Sequence, residues 1–120
     1  MKVKTSELSG RALDFAVAKA NKFSDESLSL LLGACSEDYK PSTDWGVCGQ
    51  LIEAFKISCY ASVDPENGKL YHWVAVNEKL PYDKRRGHTA ATPQVAICRA
   101  VVSAKLGDEV EIPDELMEVK

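Results

Sequence analysis

Three short stretches of the chain carry side chains able to do chemistry. Ser42-Thr43-Asp44-Trp45 sets two hydroxyls, a carboxylate and an indole at one predicted helix start. There the oxygens cap the free amide groups of the first turn, and the tryptophan packs as a staple. The same geometry offers amide donors to an anion and a ring face to a stacking ligand, with Asp44 opposing the anion. Arg99 is the one charge within Ala96-Ile97-Cys98-Arg99-Ala100-Val101-Val102. It either snorkels from a buried helix to the surface or pairs with a buried acid, for which Asp44 is the expected partner. Lys84-Arg85-Arg86-Gly87-His88-Thr89 is a basic stretch with a histidine. It is either a solvated loop or a receiver for an acidic protein surface, a phosphate or a nucleic-acid backbone. Ser42, Thr43, Asp44, Trp45, Arg85, His88 and Arg99 together make the candidate ligand-binding set.

Catalytic patterns are missing. His72 and His88 lack any motif around a nucleophile, and no phosphate-cradling glycine loop or paired-carboxylate motif is present. Cys35, Cys48, Cys59 and Cys98 form no Cys-x-x-Cys pair and have no histidine at ligand spacing. Cys48, Cys59 and Cys98 sit among apolar neighbours, so buried reduced thiols are expected, with neither a metal nor a cofactor. An enzyme is the less favoured reading.

The elements that position these residues follow from periodicity. Thr5 or Ser6 is expected to cap a first helix whose stripe is Leu13, Ala16, Val17 and Ala20, running to about Asn21. A weaker helix is expected over Ser24 to Leu32, with Gly33 as its stop, followed by a polar loop from Ser36 to Pro41. The next helix starts at Ser42-Thr43-Asp44 and shows Val47, Cys48, Leu51, Ile52 and Phe55. Its internal Gly46 and Gly49 suggest that a neighbour approaches the backbone closely. Lys56 to Val63 and Lys69 to Asn77 alternate as strands around Asp64-Pro65-Glu66-Asn67-Gly68, a hairpin signal. Glu78 to Ala91 reads as a long connection without periodicity. Thr92 caps and Pro93 opens a last helix, apolar nearly all round, which Gly107 stops. Val110 and Ile112 suggest a short edge strand. The order β-α-(α)-α-β-β-α-(β) predicts an α+β domain with helices packed on a small, mostly antiparallel sheet.

With 120 residues, 45% hydrophobic and 28% charged, the chain is the size of one domain with a real core. A net charge of −3 argues against a general nucleic-acid binder. Basic residues gather at Lys84, Arg85, Arg86, Arg99 and Lys105. Acids gather in a C-terminal tail of about 108–120, which could shield that basic surface or simply aid solubility. Met1-Lys2-Val3-Lys4 is followed by no apolar run, and Leu28 to Leu32 is too short to span a bilayer, so a cytoplasmic location is expected, with no membrane partner.

Four blocks resemble one family. Met1 to Ala20, Tyr39-Lys40-Pro41-Ser42-Thr43-Asp44-Trp45 and Leu106-Gly107-Asp108-Glu109-Val110-Glu111-Ile112-Pro113 are similar to NinX-like bacteriophage proteins. Thr92-Pro93-Gln94-Val95-Ala96-Ile97-Cys98-Arg99-Ala100 is similar to a related phage domain described as an α-β-α sandwich. The resemblance spans nearly the whole chain in the same order, and departs from the family pattern around Lys22 to Glu37 and at Lys84-Arg85-Arg86. It implies a single-domain phage or prophage accessory protein of the host bacterial cytoplasm, in a family without an assigned activity. The expected role is a non-enzymatic module that binds a host or phage protein. The alternative is a small-molecule or nucleotide-binding domain with its pocket near Trp45 and Arg99. A homodimer is compatible with so small a domain, although no coiled-coil signal directs one.

Overall fold

Along the computed structural model, which describes residues 1–21 and 39–116, short strands at both ends bracket three helices and a hairpin. The elements are β1 (Lys2–Lys4), a 3-10 turn (Thr5–Glu7), α1 (Gly10–Ala20), α2 (Trp45–Phe55), β2 (Ile57–Val63) and β3 (Leu70–Asn77). A second 3-10 turn (Tyr82–Lys84), β4 (His88–Ala90), α3 (Pro93–Leu106), β5 (Glu109–Glu111) and a last 3-10 turn (Asp114–Leu116) follow. The helix expected over Ser24 to Leu32, Cys35 and the end of the acidic tail lie outside the described residues.

The longest helix organises the rest. The Val95 amide donates to Thr92 Oγ1 at 3.3 Å, Pro93 occupies the first turn, and α3 ends at Gly107, whose φ of 91° a side chain would strain. Ala96, Ile97, Cys98, Ala100, Val101 and Val102 are buried, because α3 packs on β2, β3 and β4 and also against α1 and α2. Being enclosed from several sides is what its all-round apolar pattern requires.

The first helix starts later than its caps suggested. Thr5 gives its hydroxyl to the Gly107 carbonyl (2.7 Å) and its amide to the Asp108 carbonyl (2.7 Å). Committed to the end of α3, Thr5 does not cap a helix; Thr5–Glu7 is a 3-10 turn, and α1 begins at Gly10 behind an extended Ser9. Its stripe of Leu13, Ala16, Val17 and Ala20 is buried as the periodicity predicts. In α2, Asp44 Oδ1 accepts from the amides of Gly46 (2.9 Å) and Val47 (3.5 Å), an N-cap in the expected place. Trp45 is 53% exposed, so it is not a buried staple. Among the described residues the helix glycines do not mark close packing: a Cβ on Gly49 would meet no atom within 4 Å, and one on Gly46 its own cap carboxylate.

Two antiparallel sheets are present, β1-β5 and β2-β3-β4. The pair Val3↔Val110 places β5 where the edge strand was expected. In the hairpin, Ile57 pairs with Asn77 and Tyr60 with Val74; between Ser62↔His72 and Val63↔Leu70 the register shifts, so that Tyr71 is the extra residue on β3. The Glu78 to Ala91 connection is not structureless: His88–Ala90 joins β3 through Trp73↔Ala90 and Ala75↔His88. Three residues are too few to display an alternation, and so this strand left no period in the sequence. The architecture is one α+β domain, three helices packed on small antiparallel sheets.

Candidate functional site

The residues singled out by sequence divide between two regions. Ser42 is buried, and its amide donates to Asp14 Oδ1 at 2.9 Å. Thr43, Asp44 and Trp45 are exposed at the start of α2, with Asp44 used as the cap. Arg85, His88 and Arg99 lie instead around β4. The Arg99–Asp44 pair does not form. Arg99 donates from Nε to the Leu8 carbonyl (3.0 Å) and from Nη1 to the Thr89 carbonyl (2.8 Å), tying the segment before α1 to β4.

Around His88 two open concavities meet. One, of ≈ 430 Å³, is lined by Lys4, Thr5, Arg86, His88 and Asp108 among others; the second, of ≈ 420 Å³, by Asp83, Arg85, Arg86, His88 and Ser103 with the wall of α3. Neither is lined by Ser42, Thr43, Asp44 or Trp45. The arginines here are already engaged. Arg85 donates to the carbonyls of Leu80 and Glu78 (both 2.9 Å), pairs with the Glu78 carboxylate at 3.1 Å and lies over the Tyr82 ring. Arg86 pairs with Asp108 at the start of the acidic segment. Burial, then the positive charge of Arg86, hold His88 below its ordinary value of 6.5, which keeps the imidazole neutral at pH 7. With its arginines bonded to carbonyls and carboxylates and with Asp83, Asp108 and Glu109 in its walls, the groove is poorly suited to a strong anion.

A buried polar group escaped the sequence reading. Asp14 sits on the packed face of α1, and burial raises its carboxyl above 3.8 despite the hydrogen bonds from Ser42. Burial likewise raises Tyr39, which senses both Cys98 and Asp14. The neighbouring Cys48 thiol on α2, then burial, push the Cys98 thiol on α3 far up. Burial also raises Cys59. Cys48 and Cys98 are buried free thiols as expected, Cys59 is half-buried, and among the described residues no group of three His, Cys, Asp or Glu side chains could hold a metal ion. Asp14 falls within Leu13-Asp14-Phe15, and a charge inside a buried stripe was the signal that could have revealed it.

The other feature missed is apolar and exposed. Val63 (45%), Leu70 (45%) and Tyr71 (61%) are exposed at the free end of the β2–β3 hairpin, where Val63 pairs with Leu70, and Tyr60 (55%) is exposed midway along β2. Burial by the described elements falls off along the hairpin, from Ile57, Ala75 and Asn77, which are buried, through Cys59 and Trp73, which pack partly against the core. Strand alternation alone reads all these residues as half-buried; which length of hairpin the helices reach is set by tertiary packing.

Residues 4–105 match the family model described as Bacteriophage P22, NinX. No curated protein matches the chain. Among the described residues, no helix is long and apolar enough to cross a membrane.

Proposed function

The chain belongs to the NinX family of bacteriophage proteins, and from that premise we propose that it is a phage accessory protein acting by non-enzymatic binding to a host or phage protein in the host cytoplasm. The observation that carries this reading is the exposed Val63, Leu70 and Tyr71 at the hairpin end. Clustered exposed apolar side chains mark interaction surfaces, and tyrosines are favoured there because they bring large area with few rotamers. Affinity capture from phage-infected cells with the intact chain and with Leu70→Ser/Tyr71→Ser as baits tests it. A protein held by the first and lost by the second, with both baits equally thermostable, supports the proposal; identical captures contradict it.

A second reading, a site for a small molecule without strong negative charge, is favoured by one observation. Arg85 and His88 line the same concavity, whose ≈ 420 Å³ suits a small ligand. It requires a ligand that raises the melting temperature of the intact chain but not of His88→Ala. If His88→Ala keeps the full shift for every metabolite that binds, this reading fails.

A further inference from the structure

Strand β2 lies at the edge of its sheet, in the order β2-β3-β4. The Glu78 amide donates to the Lys56 carbonyl across the hairpin. In an antiparallel ladder the backbone groups of alternate residues face the same neighbour. Those of Ser58, Tyr60 and Ser62 therefore face β3, while those of Ile57, Cys59 and Ala61 face outward. Among the described residues no backbone group pairs with that outer row. Edge strands are normally blunted by charges, proline or bulges. Ile57-Ser58-Cys59-Tyr60-Ala61-Ser62-Val63 has no charge and no proline. The register irregularity puts its extra residue in β3 and leaves β2 regular.

We propose that a second copy of this chain occupies this edge, the two β2 strands pairing antiparallel about a two-fold axis at Tyr60. The strand is self-complementary in that register. Cys59 of each copy exchanges hydrogen bonds with Ala61 of the other, and Ser58 faces Ser62. Lys56, exposed at the end of α2, comes opposite Asp64 of the other copy. At the axis Tyr60 meets Tyr60 as a non-hydrogen-bonded pair, the closer of the two pair types, and an aromatic cross-strand contact there is favourable. That contact covers side chains now 55% exposed, and such a self-complementary patch is the form a two-fold interface takes. The inference goes beyond the partner reading above, whose test variants change Leu70 and Tyr71 on β3 and leave the β2 edge intact, and either can fail alone.

The full chain is tested by sedimentation or light scattering over a wide concentration range, and by cysteine cross-linking. The wild type is expected to reach the mass of two chains. Tyr60→Lys, which sets two ammonium groups face to face at the axis, is expected to remain at the mass of one chain with an unchanged circular dichroism spectrum. With diamide as oxidant, Tyr60→Cys is expected to cross-link to itself, whereas Ser62→Cys, whose opposite residue is Ser58, is expected to cross-link no more than the wild type. The Tyr60→Cys experiment retains its force even if Tyr60→Lys fails to fold. A wild type with the mass of one chain throughout, an open-ended series of larger species, a dimer indifferent to Tyr60→Lys, or equal cross-linking at positions 60 and 62 would each overturn the proposal.

Discussion

Asp14 and Arg99 show what polar side chains do inside this domain. Burial raises the Asp14 carboxyl above 3.8, so the folded chain holds that proton more tightly than the unfolded chain. The burden of the charge is absent below pH 3.8 and grows as pH rises through the folded value. Asp14→Asn keeps an acceptor for the Ser42 amide and removes the charge. Urea titrations should find it as stable as the wild type in acid and more stable at pH 7. Asp14→Ala leaves the Ser42 amide without its partner and should lose about 1–3 kcal/mol at pH 7. Arg99→Met keeps the apolar stem but strips the donors from the Leu8 and Thr89 carbonyls. Thermal melts should show a loss of about 1–3 kcal/mol, chiefly from the Leu8 carbonyl. Such a loss in the absence of any ligand marks Arg99 as a strut. The sequence marked Arg99 as unusual and misassigned its partner, because backbone carbonyls brought in from distant segments leave no trace in composition or spacing.

At the scale of elements, the helices and the hairpin were legible because each repeats its period often enough to be read, and because Asp44, Thr92, Pro93 and Gly107 punctuate them. β4 was not, since its existence depends on β3 lying alongside it. Gly87, at its entrance, carries that dependence: a Cβ there would stand 2.7 Å from Val74 Cγ1 on β3. Gly87→Ala must therefore push β4 from β3 or force Val74 off its rotamer, at about 1–3 kcal/mol. Hydrogen exchange should quicken at His88–Ala90 while the β2–β3 pairing stays protected. Uniform protection equal to the wild type would mean that the close approach has no consequence for the sheet. The start of α1 was displaced for a related reason. Thr5 looks like a cap locally, but the end of α3 takes both its amide and its hydroxyl.

Across the described residues, most of those that look chemical in sequence are consumed in holding the fold, and the surface proposed for recognition is instead the exposed apolar hairpin end. Arg85 clamps its own loop, Arg86 holds the acidic segment at Asp108, Arg99 joins the segment before α1 to β4, and Asp44 caps α2. Single-sequence reading could list these residues but could not know that they were already paired. Nor could it separate the part of the hairpin covered by helices from the part left open. The most direct measurement is a comparison of three baits in infected-cell lysate: the intact chain, Leu70→Ser/Tyr71→Ser, and His88→Ala. The intact chain and His88→Ala are expected to retain the same protein, and the hairpin variant to lose it. Loss with His88→Ala and retention with the hairpin variant would place recognition at the groove and contradict that expectation.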